Sequence, residues 1–485
     1  MLEYLFKSLG SFRKVFSRHQ TWILFVVFVL GFIGTSELIG VSSFCRFWLV
    51  DQNSYYSFLR FFRSGAWSLS PLLEHWWFFV LAQNETIFLD DRVILLGDHT
   101  NVSKDGHRMP GVVTIHQDSE TQSKPSYYRG QVWGALGLLV GSMASPFCLP
   151  LMLKIHLGLN QLAEEVTNEK KRTTMGQHMV QMAIDFSLKT NQGSILVLGA
   201  FFGAACVFNL ADSVWSLTLK ASLVHIIVRA KKNYVAYFPA KAPKKKRRGR
   251  PKKYGEKVPL MEVFDHPHLF SKVVCCVYNR MEEISIAHYD LLWKPTGKSI
   301  RFVFALTSRG PIILMCSDLK QNPVLAIKLY CARIRIEVMF DVLKNLLGAF
   351  RFRFWSKKMP KNSRKPKKNH TIKTPSTENI PKVQLCWDAY EGFVALAAIA
   401  QGLLQLIALK FQDTIWRKNH YFLRTKSREM PSEKTVKQLI APLLIFNFLN
   451  LSVHGTMREI RYYFFGENRI PQTQIDEQDD KQRAA

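Results

Sequence analysis

Between Tyr330 and Lys344 the chain reads Y-C-A-R-I-R-I-E-V-M-F-D-V-L-K, without Gly or Pro. At 3.6 residues per turn, Tyr330, Arg333, Glu337 and Lys344 fall within an arc of roughly 60° on one helix. That face carries a phenol, a guanidinium, a carboxylate and an ammonium. Arg offers a planar fork and Lys a point charge to anions, beside a carboxylate that can take a cation or a proton. The plainer alternative is a solvated face with an Arg333–Glu337 pair one turn apart, worth a few tenths of a kcal/mol. Ile327, Ile334 and Val338 should continue an apolar side, which would set the polar row at the rim of a core.

A second carboxylate stands out upstream. Val93-Ile-Leu-Leu96 predicts an apolar strand bounded by Gly97, with Asp98 directly after it. A carboxylate at the C-terminal end of a central strand sits where open sheets place chemistry. An Asp capping a turn fits the local text equally well. His99 and His225 read as turn or core residues, and no nucleotide-binding glycine loop, Ser-His-Asp pattern or zinc spacing occurs.

The chain that must position these groups has 485 residues and is 47% hydrophobic, enough for a large core and incompatible with wholesale disorder. Its 66 Lys and Arg against 37 Asp and Glu leave a net charge of +29. Such a surplus favours a polyanionic partner, nucleic acid first and an anionic membrane second. The eight cysteines show no CxxC, which suits buried thiols in a reducing cytoplasm rather than a disulfide framework. Apolar runs at Trp22–Gly34, 132–152 and 194–210 raise a membrane alternative. They are short or interrupted by Gly, Pro, Ser or Asn, so buried helices and strands explain them better.

Residues 1–85 read as helical, with Arg46, Arg60 and Arg63 on otherwise apolar helices: either a cap over the next domain or a DNA-binding module. Strands are predicted after Gly111, from Gly130, at Ser194–Leu198 and at Leu223–Arg229, with helical segments over 158–190 and from Phe201 to about Lys220. Antiparallel strands follow over 283–318, with Arg309-Gly310 at a hairpin tip. Long helices are expected over 388–409 and 433–465. The fold class is α/β, a mixed sheet with helical N- and C-terminal regions.

Two segments concentrate charge. Ten of the eighteen residues from Ala240 to Lys257 are basic, around Arg248-Gly-Arg250-Pro-Lys252-Lys253. Like charges so dense repel without a partner, so phosphate contact is favoured over a solvated loop. Residues 351–373 hold ten more basic residues and no acid, led by Phe352, Phe354 and Trp355. Aromatics beside Arg could stack on an unpaired base, though packing on the core is the first expectation.

Taken together, G-D-H-T-x-V-x-K-x-G-x-R-M-P-G around Asp98, the R-G-R-P-K-K-Y-G loop and the Y-x-x-R-x-x-x-E-x-x-x-x-x-x-K row resemble DDE transposases of bacterial insertion sequences, in the family-four branch with the Y-R-E-K signature. The resemblance covers most of residues 55–410. It implies an RNase H-like core, similar to that of retroviral integrases, with a β-rich insertion before the last catalytic helix. The corresponding division is a helical region over 1–85, the first part of the core over 86–229, a basic and β-rich insertion over 230–322, the catalytic-helix part over 323–465, and a disordered tail over 466–485.

The implied chemistry is DNA nicking and strand transfer, with three carboxylates holding two Mg²⁺ (or Mn²⁺) ions about 3.5–4 Å apart. Asp98 and Glu337 match the first and third carboxylates, as catalytic and metal-binding residues. Tyr330, Arg333 and Lys344, with Arg248, Arg250, Lys252 and Lys253, match DNA contacts. The implied partners are double-stranded DNA, as terminal inverted repeats and target, and a second copy of the chain in a synaptic dimer; no membrane is implied, and the location is the cytoplasm, at the nucleoid. The second carboxylate is where the sequence departs. The family's L-D-A-Y/F-F reads Leu198-Gly199-Ala200-Phe201-Phe202 here, and Asp212 lies too far on to replace it. The expectation is therefore a transposase with impaired cleavage, or a DNA-binding relative that inhibits transposition.

Overall fold

The computed structural model describes the chain apart from residues 38–39, 117–125, 157–172, 217–220, 242–250, 279, 365–372, 374, 423–428, 451–453 and 467–485. The proposed tail thus lies almost wholly outside the described residues. Five helices open the chain: α1 (Leu2–Ser11), α2 (His19–Gly34), α3 (Val41–Phe47), α4 (Gln52–Phe61) and α5 (Leu69–Leu81). Then come β1 (Phe88–Leu89), β2 (Arg92–Ser103), β3 (Val113–His116), β4 (Tyr127–Val140), β5 (Phe147–His156), α6 (Met175–Thr190), β6 (Ser194–Leu198) and α7 (Ala205–Asp212). A two-stranded ribbon of β7 (Trp215–Ser216) and β8 (Ala221–Ser222) leads into β9 (Val224–Arg229). The following β-rich block holds β10 (Val235–Pro239), β11 (Tyr254–Pro259), β12 (Ser271–Val277), β13 (Arg280–Trp293), β14 (Lys298–Thr307) and β15 (Gly310–Cys316). Helices close the chain: α8 (Pro323–Ala332), α9 (Ile334–Asp341), α10 (Ile380–Lys410), α11 (Gln412–Lys418), α12 (Glu433–Leu449) and α13 (Gly455–Phe465).

One mixed sheet runs through the molecule in the order β11-β10-β13-β14-β15-β9-β6-β2-β4, with β3 and β5 both on β4. β2, β6 and β9 are parallel and the flanking pairs antiparallel. The β13–β14–β15 meander, with its tip at Arg309-Gly310, extends the core sheet by pairing β15 with β9 instead of forming a separate layer.

Alternation along the strands decides which face does what. A Cβ added to Gly134 would run into Met179 of α6 and one on Gly97 would lie 3.8 Å from the same residue, whereas one on Gly137 would come within 3.2 Å of Met339 of α9. Asp98, one residue after Gly97, therefore faces α9. The apolar runs resolve as buried elements. α2 is buried on nearly every side, and 132–152 forms β4 and β5. Thr377–Lys410 is the one stretch among the described residues long and apolar enough to cross a membrane, and 94% of its most apolar window is buried inside the protein.

Three expectations change. The strand carrying Asp98 does not stop at Gly97, because β4 keeps it paired antiparallel as far as Ser103. The helix expected from Phe201 to Lys220 is only α7, which ends at Asp212 after a single tight turn at Ala200–Phe202. The segment over 158–190 is helical only from Met175, its first fifteen residues lying outside the described region.

Candidate active site

β2 has two sheet partners of different length, one parallel and one antiparallel, and Asp98 sits where they diverge. Its register with parallel β6 ends at Gly97–Leu198, while antiparallel β4 continues opposite Asp98 at Ala135. The strand is thus exposed on one edge from Asp98 onward, opening a notch over the end of β6. Asp98 accepts a hydrogen bond from the His99 backbone N–H at 2.8 Å and ion-pairs through Oδ2 with Arg333 Nη1. The His99 ring Nδ1 stays 3.5 Å from Asp98 Oδ1, a charge-pair distance rather than a hydrogen bond. Burial opposes ionisation of Asp98, but His99 and the Arg333 charge outweigh it and hold the carboxyl below its ordinary range.

Arg333 arrives there because the helix bearing it is broken. α8 ends and α9 begins at Arg333, with tight backbone bonds from Arg333 N to Tyr330 O and from Ile336 N to Arg333 O. The break shifts the helical phase. Tyr330 turns into the core and is 6% exposed, apart from Arg333 and Glu337. Ile334 and Val338, expected on the apolar side, are each 45% exposed, and Ile336, Met339 and Phe340 are buried instead. Only Ile327 keeps its expected place.

Glu337 lies 3.8 Å from Arg333 Nη1, on the open side of the notch. Burial and the like charge of Asp98 raise its carboxyl above the ordinary value, against the pull of Arg333 and Lys344. After Asp341 the helix widens into a π turn over Val342–Leu346, closed by a bond from Leu347 N to Val342 O. From this turn Lys344 Nζ donates to Thr100 Oγ1. Asp98 and Thr100 share one face of β2, so Arg333 and Lys344 grip consecutive same-face positions of that strand.

Position 199 completes the notch. Gly199 follows β6 with φ −75° and ψ 168°, ordinary extended backbone. A Cβ there would sit 3.7 Å from the Arg333 guanidinium carbon. A side chain at 199 would thus point toward the same Arg that holds Asp98. Asp212 cannot serve: it accepts from Ser222 Oγ at 3.0 Å and pairs with Lys298 Nζ at 2.5 Å, at the far end of α7. Among the described residues, no three His, Cys, Asp or Glu side chains come together as a metal-binding group.

Comparison with known families settles the broad class. A family described as DDE superfamily endonuclease matches residues 41–289, just over half of the chain. The chain belongs to the DDE superfamily endonucleases. The match includes Asp98 and position 199 and stops before α8 and α9, so Arg333, Glu337 and Lys344 rest on geometry alone. No curated protein matches the chain. DDE endonucleases act on DNA and generally use divalent metal ions.

The basic segments of this DDE endonuclease relative are seen in part. Arg248 and Arg250 lie outside the described residues. Lys252 and Lys253 are exposed just before β11, with Lys253 Nζ 5.9 Å from the Tyr254 ring centre. The second basic stretch, expected from its aromatics and charge, has a support that sequence reading missed, Lys104. From Phe350 to Phe354 phenylalanine and arginine alternate, and Trp355 and Lys357 follow; Phe350 and Phe352 are buried and Arg351, Arg353, Trp355 and Lys357 exposed. Lys104, within the Asp98 motif, supports this strip from below. Its ammonium donates to Phe350 O at 2.5 Å and Phe352 O at 3.2 Å and lies 3.6 Å from the Phe352 ring centre. The period-two text F-R-F-R-F-W was the available signal.

Proposed function

We propose that this chain is a transposase-type protein that binds the terminal-repeat DNA of an insertion sequence and whose cleavage chemistry is impaired. The strand order β5-β4-β2-β6-β9 supports an RNase H-like core, with 230–322 as the insertion before the catalytic helix and the Y-R-E-K branch as its relatives. Asp98 and Glu337 are the surviving catalytic carboxylates. Arg333 and Lys344 bind DNA phosphates at the notch, Arg as a fork and Lys as a point charge. Lys252, Lys253, Arg248 and Arg250 add phosphate contacts, and Tyr330 acts from within the core as support.

The observation that carries the impairment is the pairing of Arg333 with Asp98 beside Gly199. In the family chemistry three carboxylates hold the metal ions that activate a nucleophile and stabilise the leaving oxygen. Here the third ligand is missing and a guanidinium neutralises Asp98 instead. The notch is therefore better suited to holding a phosphodiester than to cutting it, which favours DNA occupancy as the retained activity. That also supports the alternative role, inhibition of transposition by occupying terminal repeats, in a dimer or otherwise.

The test uses supercoiled plasmid carrying the flanks of the protein's own coding sequence, with Mg²⁺. The wild-type chain should bind these flanks and nick no faster than a no-enzyme control. Gly199→Asp should gain metal-dependent nicking. A Gly199→Asp protein that binds DNA and metal normally yet never nicks would overturn the assignment of Asp98, position 199 and Glu337 as one site.

A further inference from the structure

Beside the strip at 350–357 lies a cleft of about 700 Å³ between it, the N-terminal helices and the start of α10. Arg63, Arg353, Lys357, Lys358 and Lys382 line it, and among the described residues no acidic one does. Its remaining wall is largely apolar and aromatic, including Tyr55, Phe62 and Trp355. A second basic cavity of about 720 Å³ shares Arg353 and Trp355 with the first. It adds Lys104, Arg108, Arg351, Lys361 and Arg364 against a single acid, Asp105.

Trp355 is the feature that separates this surface from a merely basic one. Its neighbours in sequence are fixed: Phe354 O accepts from Tyr390 Oη at 2.8 Å, and Ser356 N donates to Arg108 O at 3.2 Å. Phe352 stacks on Tyr390 with ring centres 4.5 Å apart. Trp355 itself is 52% exposed, and among the described residues no other ring packs on it. A backbone hydrogen-bonded on both sides of it thus presents an open indole inside a concave cleft whose charged lining is basic. Burying that indole alone would have been the favourable outcome for folding.

We infer that this cleft is a binding site for single-stranded DNA, with an unpaired base stacked on Trp355 and its flanking phosphates held by Arg353, Arg63 and Lys382. Bases in a duplex already stack on one another, so only an unpaired base can cover an exposed ring, whereas the cations would serve either form. The cleft also lies on a path from the notch. From Asp98 to Lys104 the chain runs extended for about 20 Å, and Lys344 on Thr100 and Lys104 under the strip punctuate that line. A strand held at the notch would pass the second cavity, with Lys104, Arg108 and Arg351 against Asp105, before the cleft that shares Arg353 and Trp355 with it. This inference rests on the proposed DNA-binding function.

The full-length protein is titrated into a labelled oligothymidylate and, separately, into a labelled duplex, with fluorescence anisotropy as the readout. Trp355→Ala should weaken oligothymidylate binding between about fivefold and 100-fold, leave duplex binding within twofold, and be largely rescued by Trp355→Phe. Arg353→Ala should weaken both probes. Oligothymidylate affinity unchanged in Trp355→Ala, or an equal loss for both probes, would overturn the cleft while leaving the DNA-binding reading intact. A wild-type chain that binds neither probe would sink both.

Discussion

Gly199 and Arg333 face each other across the notch: a Cβ on the glycine would rest 3.7 Å from the guanidinium carbon. That is ordinary van der Waals distance, and the backbone at 199 is in a region any residue adopts. Neither space nor dihedral angle demands glycine. The position has room for a Cβ beside the guanidinium.

The first prediction follows directly. Gly199→Ala should be neutral to stabilising, by roughly 0.4–1 kcal/mol, because it restricts the unfolded chain without strain in the folded one. Urea denaturation of the two proteins measures it. A loss beyond 1 kcal/mol would mean that the notch is built around the glycine.

Arg333 should matter far more. Asp98 is 13% exposed, so Arg333→Met leaves a nearly buried carboxylate without its counter-ion. The expected cost at pH 7 is about 2–3 kcal/mol, recovered in large part by adding Asp98→Asn. The two carboxylates respond to pH with opposite sign. Asp98 has its folded-state pKa lowered, so its contribution is present above the ordinary carboxylate range and fades as pH falls through the lowered value. Glu337 has its folded-state pKa raised, so it favours the fold at low pH and that favour is lost as pH rises past the ordinary value. Thermal denaturation from acid to neutral pH should therefore show Asp98→Asn losing stability relative to wild type as pH rises, and Glu337→Gln gaining.

Much of this was legible in the sequence, and the parts that were not share a cause. Asp98 and Glu337 stood out because strand ends and helical spacing are local properties, whereas Gly199 stood out only against the motif that the family resemblance implies. The continuous helix from Tyr330 to Lys344 was misread because its break at Arg333 and its π turn are set by what the helix packs on. Arg333 is drawn to Asp98 and Lys344 to Thr100, and periodicity alone cannot register either. The extension of β2 past Asp98 was hidden for the same reason, since β4, distant in sequence, supplies the pairing. Lys437 went unnoticed too. It is buried against the end of α2, donating to Phe32 O, Ile33 O and Thr35 O, a contact across some four hundred residues that no local pattern announces.

Lys104 gives a prediction that joins stability to the DNA surface. Burial, then the like charges of Arg351 and Arg353, bring its ammonium down to about 7. With the folded-state value below the unfolded one, near 10.4, the unfolded chain binds more protons between them. Stability from this group therefore rises with pH from neutral toward pH 10. Lys104→Met should lose that slope, measured by denaturant midpoints at pH 7 and pH 9. It should also loosen the Phe350–Phe352 backbone that the ammonium holds, so oligothymidylate binding weakens although Lys104 is itself only 8% exposed.

Lys344 separates phosphate contact from structural support. It reaches Thr100 from the π turn, at the mouth of the notch, where a DNA backbone would meet Arg333 as well. If it neutralises one phosphate of a duplex, Lys344→Ala should reduce the slope of log affinity against log salt concentration by about 0.9. The loss should be nearly uniform across DNA sequences, since a point charge on phosphate reads no base. Loss of a hydrogen bond to Thr100 alone would instead lower thermal stability by about 1 kcal/mol and leave the salt slope as it was. Anisotropy titrations of one duplex at four salt concentrations, run beside a melting curve, distinguish the two. An unchanged slope with a lowered melting temperature would make Lys344 a clamp on β2 and remove it from the DNA interface.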